Sequence, residues 1–140
     1  MGRSLATVPF RAWSVFHGLL VLAQLGFAGA LLDAVGGALE WHGGVGGSLI
    51  VVAMVQTLLA VVAAWPGGMP AWPIAVSAAL VVADIAQVAI GHAGLLAVHV
   101  PLGVAIVASQ AAVAVRALLP ARRGRPAPPA APPRPAAPPR

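Results

Sequence analysis

Two histidines head long apolar runs, each with a glycine four residues on. His42 precedes Gly46 in Trp41-His42-Gly43-Gly44-Val45-Gly46, and His99 precedes Gly103 in Val98-His99-Val100-Pro101-Leu102-Gly103. Neutral imidazole is the commonest metal ligand among side chains. On a helix, residues four apart share a face, so each glycine leaves a groove one turn from the ring, where something flat or bulky can approach the backbone. Few other residues have chemistry to offer. Asp84 lies near the middle of a third apolar run, with Gln87 a turn later and His92 at its end. His17 and Gln24 share a face of the first run, and Gln56 and Gln110 interrupt the second and fourth. There is no cysteine, which excludes disulfides, thiolate metal sites and a cysteine nucleophile. Nothing resembles a hydrolase triad, a phosphate loop or a nucleic-acid module.

The elements that must carry these residues follow from composition. Of 140 residues, 60% are hydrophobic and 8% charged, against about 25% charged in a soluble domain. This is the composition of an integral membrane protein. A span needs about 20 apolar residues, and four runs qualify, at about 12–32, 45–65, 73–92 and 95–119. The first has the basic start of a signal peptide, but its length and its polar residues favour a span. Residues 1–11 form a short polar start and 33–44 a loop, with Trp41 as an interfacial anchor. The stretch Pro66-Gly67-Gly68-Met69-Pro70-Ala71 forms a turn between Trp65 and Trp72. Residues 120–140, rich in Pro, Ala and Arg, are expected to be disordered, held near anionic lipid by their arginines or bound by an SH3-like partner.

The expected fold is therefore all-α, a four-transmembrane-helix bundle. The net charge of +5 comes from arginines that flank the apolar runs rather than from a basic folded face, so no nucleic-acid partner is expected. Arg3 and Arg11 precede the first span; Arg116, Arg122, Arg123 and Arg125 lie at or beyond the end of the fourth; the first and third loops have none. The positive-inside rule then makes both termini cytoplasmic. The absence of lysine and the weight of Ala, Gly and Pro suggest a GC-rich genome, and so a bacterial plasma membrane.

The four spans read as two parallel helical-hairpin repeats. Ala23-Gln24 in the first is matched by Ala86-Gln87 in the third, each followed by small residues and a Leu pair; the second and fourth share His-x-x-x-Gly. Parallel repeats are related by an axis along the membrane normal. The repeat predicts that His42 and His99 lie at similar depth and face one another across that axis, with His92 nearby.

Two neutral imidazoles opposed across a bundle are the axial arrangement of a b-type haem, whose potential is set by its ligands and its apolar shell. The stretches Gly37-Ala38-Leu39-Glu40-Trp41-His42 and Ala97-Val98-His99-Val100-Pro101-Leu102-Gly103 resemble the matching helix starts in one half of haem A synthase. In that family each half is a four-helix bundle, and histidines on its second and fourth helices bind haem. The resemblance covers about residues 12–119. It implies His42 and His99 as axial ligands and Glu40 as an outer-face acid. The family pattern is Glu-x-x-His-Arg, whereas here Glu40 stands two residues before His42 and Gly43 follows, so an arginine for a haem propionate is absent. One half alone is present, so synthase activity would require a homodimer or is absent. In length and layout the chain also resembles small uncharacterised four-helix bacterial membrane proteins with a histidine on helices two and four.

The haem reading implies electron transfer or haem handling with a membrane partner protein. Other readings stand beside it. In one, the chain is a non-catalytic membrane scaffold or regulatory subunit: His42 is solvated at the interface, and His92 and His99 cap or cross-link helix ends. In another, Asp84 and His17 form the proton or ion site of a proton-coupled carrier, since a carboxylate near the bilayer centre costs several kcal/mol unless paired or protonated. At about 1.5 Å per residue, Asp84, Gln56 and Gln110 fall at comparable depth with His17 close by. They are expected to form a buried hydrogen-bonded layer, with Asp84 protonated or paired with His17. As mere helix–helix glue, each such bond is worth about 0.6 kcal/mol. A porphyrin-free site from His42, His92 and His99 would suit zinc. No catalytic residue is identified.

Overall fold

The structure, a computed structural model, describes residues 2–119, with side chains from residue 5 onward. The tail over 120–140 lies outside the described residues. Those described form four helices and no strand: α1 Gly2–Leu32, α2 Ala38–Ala64, α3 Trp72–His92 and α4 Leu96–Leu118. All four are long and apolar enough to cross a membrane.

Two boundaries differ from expectation. Residues 2–11 are helical, so α1 is longer than its apolar run, and α2 begins at Ala38 rather than near residue 45. The glycines at 43 and 44 read as loop because each costs a helix about 1 kcal/mol relative to alanine. In lipid, however, backbone groups must be satisfied within the segment, and the helix runs through them. Gly37, with φ 79°, makes the left-handed turn that starts α2. His42 is thereby a helical residue, four places after Ala38, and not part of a loop.

The helices run up, down, up and down around a square. Each packs on its neighbours in sequence and α4 closes against α1, which leaves α1 diagonal to α3 and α2 diagonal to α4. Buried positions step by three and four along each helix: Phe10, Ser14, His17 and Val21; Leu49, Ala53, Gln56 and Ala60; Pro73, Ser77, Leu80 and Asp84; Ile106, Gln110, Val113 and Ala117. This is the inward seam of a helical bundle. One constant shift carries the α1 set onto the α3 set, and another carries the α2 set onto the α4 set. The second also carries His42 onto His99 and Gly46 onto Gly103. The hairpin repeat is thus a repeat of burial as well as of sequence.

The distribution of polarity is that of a membrane bundle. Leu19, Leu58, Val82 and Val104 are each 60–68% exposed, whereas Ser14, His17, Gln56, Ser77 and Gln110 are fully buried. Lipid is as apolar as leucine, so the outer leucines do not drive helix association; close packing and interhelical hydrogen bonds do.

Candidate functional site

The centre of the bundle is a layer of five polar side chains. Gln56 and Gln110 face each other along the α2–α4 diagonal and exchange hydrogen bonds: Gln56 Nε2 donates to Gln110 Oε1 at 3.0 Å, and Gln110 Nε2 to Gln56 Oε1 at 3.1 Å. The second amide proton of Gln56 goes to Ser77 Oγ on α3, at 3.1 Å, and that of Gln110 to the Ser14 carbonyl on α1, at 2.9 Å. His17 Nδ1 donates to Gln56 Oε1 at 3.0 Å. Every helix is tied at this level, and both amides spend all their protons. Ser14 and Ser77 did not stand out in the sequence. The signal was present: each occupies the same place in its repeat, on the face that carries His17 and Asp84.

Asp84 is not part of that layer, contrary to expectation. It lies two helical turns beyond Ser77 on α3, about 10 Å along the axis, in the place where the first repeat has Val21. It is 3% exposed and its Oδ2 has no partner; His17 Nε2 is likewise buried without one. His17 bonds Gln56 and makes no ion pair with Asp84. The start of α2 at Ala38, two helical turns before its apolar run, sets Gln56 deeper along the bundle than residue 45 as a start implies, and so separates it from Asp84.

Toward the end of the bundle that carries the α1–α2 and α3–α4 turns lie the paired histidines. The rings of His42 and His99 meet across the α2–α4 diagonal with centroids 6.1 Å apart and planes at 61°. Around them the repeat recurs as geometry. Gln24 Nε2 donates to the His42 carbonyl at 2.7 Å, and Gln87 Nε2 to the His99 carbonyl at 2.8 Å. The predicted grooves over Gly46 and Gly103 exist, and glutamine amides occupy them: a Cβ on Gly46 would stand 2.8 Å from Gln24 Nε2, and one on Gly103 would stand 2.9 Å from Gln87 Nε2. His-x-x-x-Gly is therefore a docking notch for the neighbouring helix, in which the amide adds a bond to the histidine carbonyl. Gln24 Oε1 and Gln87 Oε1 remain buried and unpartnered.

The other candidates are peripheral. His92 is exposed and its Nδ1 turns back to the Val88 carbonyl of its own helix, at 2.8 Å. Glu40 is exposed, and Trp41 packs on Phe27 at 6.0 Å between centroids. Among the described residues no three His, Cys, Asp or Glu side chains come together as a metal cluster, so His42, His92 and His99 do not form the zinc triad. Two open apolar grooves flank α4, of about 370 Å³ against α3 and about 240 Å³ against α1, and neither includes a histidine. The chain matches no protein-family model, no curated protein and no solved structure.

Proposed function

We propose that this multi-pass membrane protein holds a b-type haem between α2 and α4, with His42 and His99 as axial ligands, and serves electron transfer or haem handling. The observation that carries the reading is the meeting of the two rings. Two metal–nitrogen bonds of about 2 Å each, with roughly 1 Å from nitrogen to ring centre on either side, put centroids about 6 Å apart. The separation here is 6.1 Å. His99 Nδ1 lies 3.1 Å from the Gln87 carbonyl, the outer partner that ligating histidines usually have. When bound, the haem would supply one-electron redox chemistry. The chain's part is to oppose the two imidazoles, surround them with apolar helices and carry them on backbone that Gln24 and Gln87 brace. The glycine notches are filled by the Gln24 and Gln87 amides, so His42 and His99, rather than Gly46 and Gly103, would hold the haem.

The arginines favour cytoplasmic termini and, with the composition, a bacterial plasma membrane. The test is an absorption spectrum of detergent-purified protein, oxidised and then dithionite-reduced. Sharp reduced α and β bands near one haem per chain or per homodimer, lost in His42→Ala with His99→Ala, are expected. A spectrum that stays flat after haem is added sinks the proposal.

A second reading is favoured by the filled notches and the central layer: a non-catalytic scaffold whose polar residues only lock helices. Under it, the double histidine variant leaves partner binding intact.

A further inference from the structure

Between the central layer and the paired rings lie four buried side-chain atoms without a partner. Asp84, on α3, is 3% exposed and its Oδ2 is unpartnered. His17, on α1, is fully buried and its Nε2 is unpartnered. One turn beyond Asp84 is Gln87 Oε1, and at the equivalent place on α1 is Gln24 Oε1, both buried and unpartnered. All four are acceptors. Each glutamine gives an Nε2 proton to a histidine carbonyl, which fixes the end of the amide that is oxygen. His17 Nδ1 faces Gln56 Oε1, which only accepts, so in the neutral ring Nδ1 carries the proton and Nε2 the lone pair. An unsatisfied polar group in an apolar interior is costly. Four acceptors with no free donor among them call for a proton or a cation.

The two ways out from Asp84 are unlike. Toward the chain ends the central layer is closed. Its amide protons and the His17 Nδ1 proton are committed, and the Ser14 hydroxyl donates to the Phe10 carbonyl at 2.8 Å. Beyond the layer, Phe10, Ala60, Val113 and Ala117 pack as an apolar plug. Toward the other end the next side chains are the glutamine oxygens, and then the half-buried rings of His42 and His99, about 10 Å along the axis from Asp84.

We propose that Asp84 is a proton-binding site, loaded from the histidine end of the bundle and sealed from the chain ends by the central layer and the plug beyond it. In loading, a hydronium ion gives its proton to the Asp84 carboxylate: one O–H bond forms on the carboxyl, one breaks in hydronium, and water leaves. The acceptors next in level for the new O–H are His17 Nε2 on the deeper side and Gln87 Oε1 on the shallower. The titratable groups facing Asp84 are His17 from α1 and, toward the mouth, His42 from α2 and His99 from α4. Arg11 and Arg116 lie at the level of the plug, and Asp33, Glu40 and His92 are exposed at the histidine end. A hard metal cation such as calcium takes about six to eight oxygens. The three unpartnered oxygens here are spread over two levels, whereas a proton needs one. The proposal does not depend on haem.

The test uses the full chain in sealed proteoliposomes, with its orientation read by thiol labelling of Gly36→Cys. An apolar carbodiimide adds to protonated carboxyl groups in apolar surroundings. The chain has three acidic side chains, and those of Asp33 and Glu40 are exposed. Mass spectrometry should therefore find the adduct at Asp84 and lose it in Asp84→Asn. That substitution keeps the shape of the side chain, so the loss reports the carboxyl and not misfolding. Labelling should fall as the pH on the histidine side is raised, about tenfold per pH unit once the carboxyl ionises. It should hold constant when only the other side is made alkaline. No adduct at any pH, an adduct indifferent to pH, or an equal response from both faces would each overturn the site. Protection by sodium chloride at constant pH, with choline chloride as control, would assign the oxygens to a metal cation and overturn the proton. A chain that binds no haem and still shows the one-sided response would sink the haem reading and leave this site standing.

Discussion

Gln110 spends both amide protons and its carbonyl oxygen within the layer, on Gln56 and on the Ser14 carbonyl. Removing it strands a proton of Gln56 in the bilayer interior, and a buried polar group left unsatisfied costs about 1–3 kcal/mol. Gln110→Ala should therefore lower unfolding stability in detergent by about that amount. Asp84 has equal burial and the opposite bookkeeping: no hydrogen bond to lose among the described residues and a carboxyl that is costly to desolvate. Asp84→Asn should leave stability unchanged or raise it. A loss comparable to that of Gln110→Ala would mean that Asp84 has a structural partner and belongs to the glue. Residue types alone indicated that Gln56, Gln110 and His17 would meet. They did not place Asp84, because its depth relative to Gln56 depends on where α2 begins, and α2 begins at Ala38 rather than near residue 45.

At the scale of the element, the glycines are of two kinds that look alike in the sequence. A Cβ on Gly46 meets the Gln24 amide, whereas one on Gly29 meets nothing within 4 Å. A single methyl group at 46 would only displace the flexible end of Gln24, and the gain in helix propensity would offset about one hydrogen bond. A larger side chain must push α1 from α2. Gly46→Leu should thus lower the unfolding midpoint in detergent, and Gly29→Leu, on the lipid-facing side, should not. Equal behaviour of the two would show that the notch does not hold the helices together. Sequence periodicity gave all four helices, because apolar runs of span length admit few other structures. It misplaced the start of α2, because glycine pairs are loop signals in water and tolerable helix in lipid. That single boundary moved His42 from a loop onto a helix, whereas its position facing His99 was already expected from the repeat.

The described residues form four helices of span length, an even number, which fixes one relation whatever the orientation: the start of α1 and the end of α4 lie on the same side. Arg11 and Arg116 sit toward that side, and the α1–α2 and α3–α4 turns at the other end have no basic residue. If both ends are cytoplasmic, the paired histidines sit near the outer face, within reach of a partner there. The chain has no cysteine, so single introduced thiols report without background. Gly36→Cys and Ala93→Cys, both in exposed turns at the histidine end, should react with a membrane-impermeant thiol reagent added to intact cells. Ala71→Cys, exposed in the α2–α3 turn at the other end, should react only after the membrane is opened. The reverse pattern would keep the bundle and invert it, placing the histidines on the cytoplasmic side; reaction at all three positions in intact cells would contradict four spans. The repeat makes the first outcome demanding, because Gly36 and Ala93 come from different hairpins and must behave alike if both hairpins cross the membrane in the same sense.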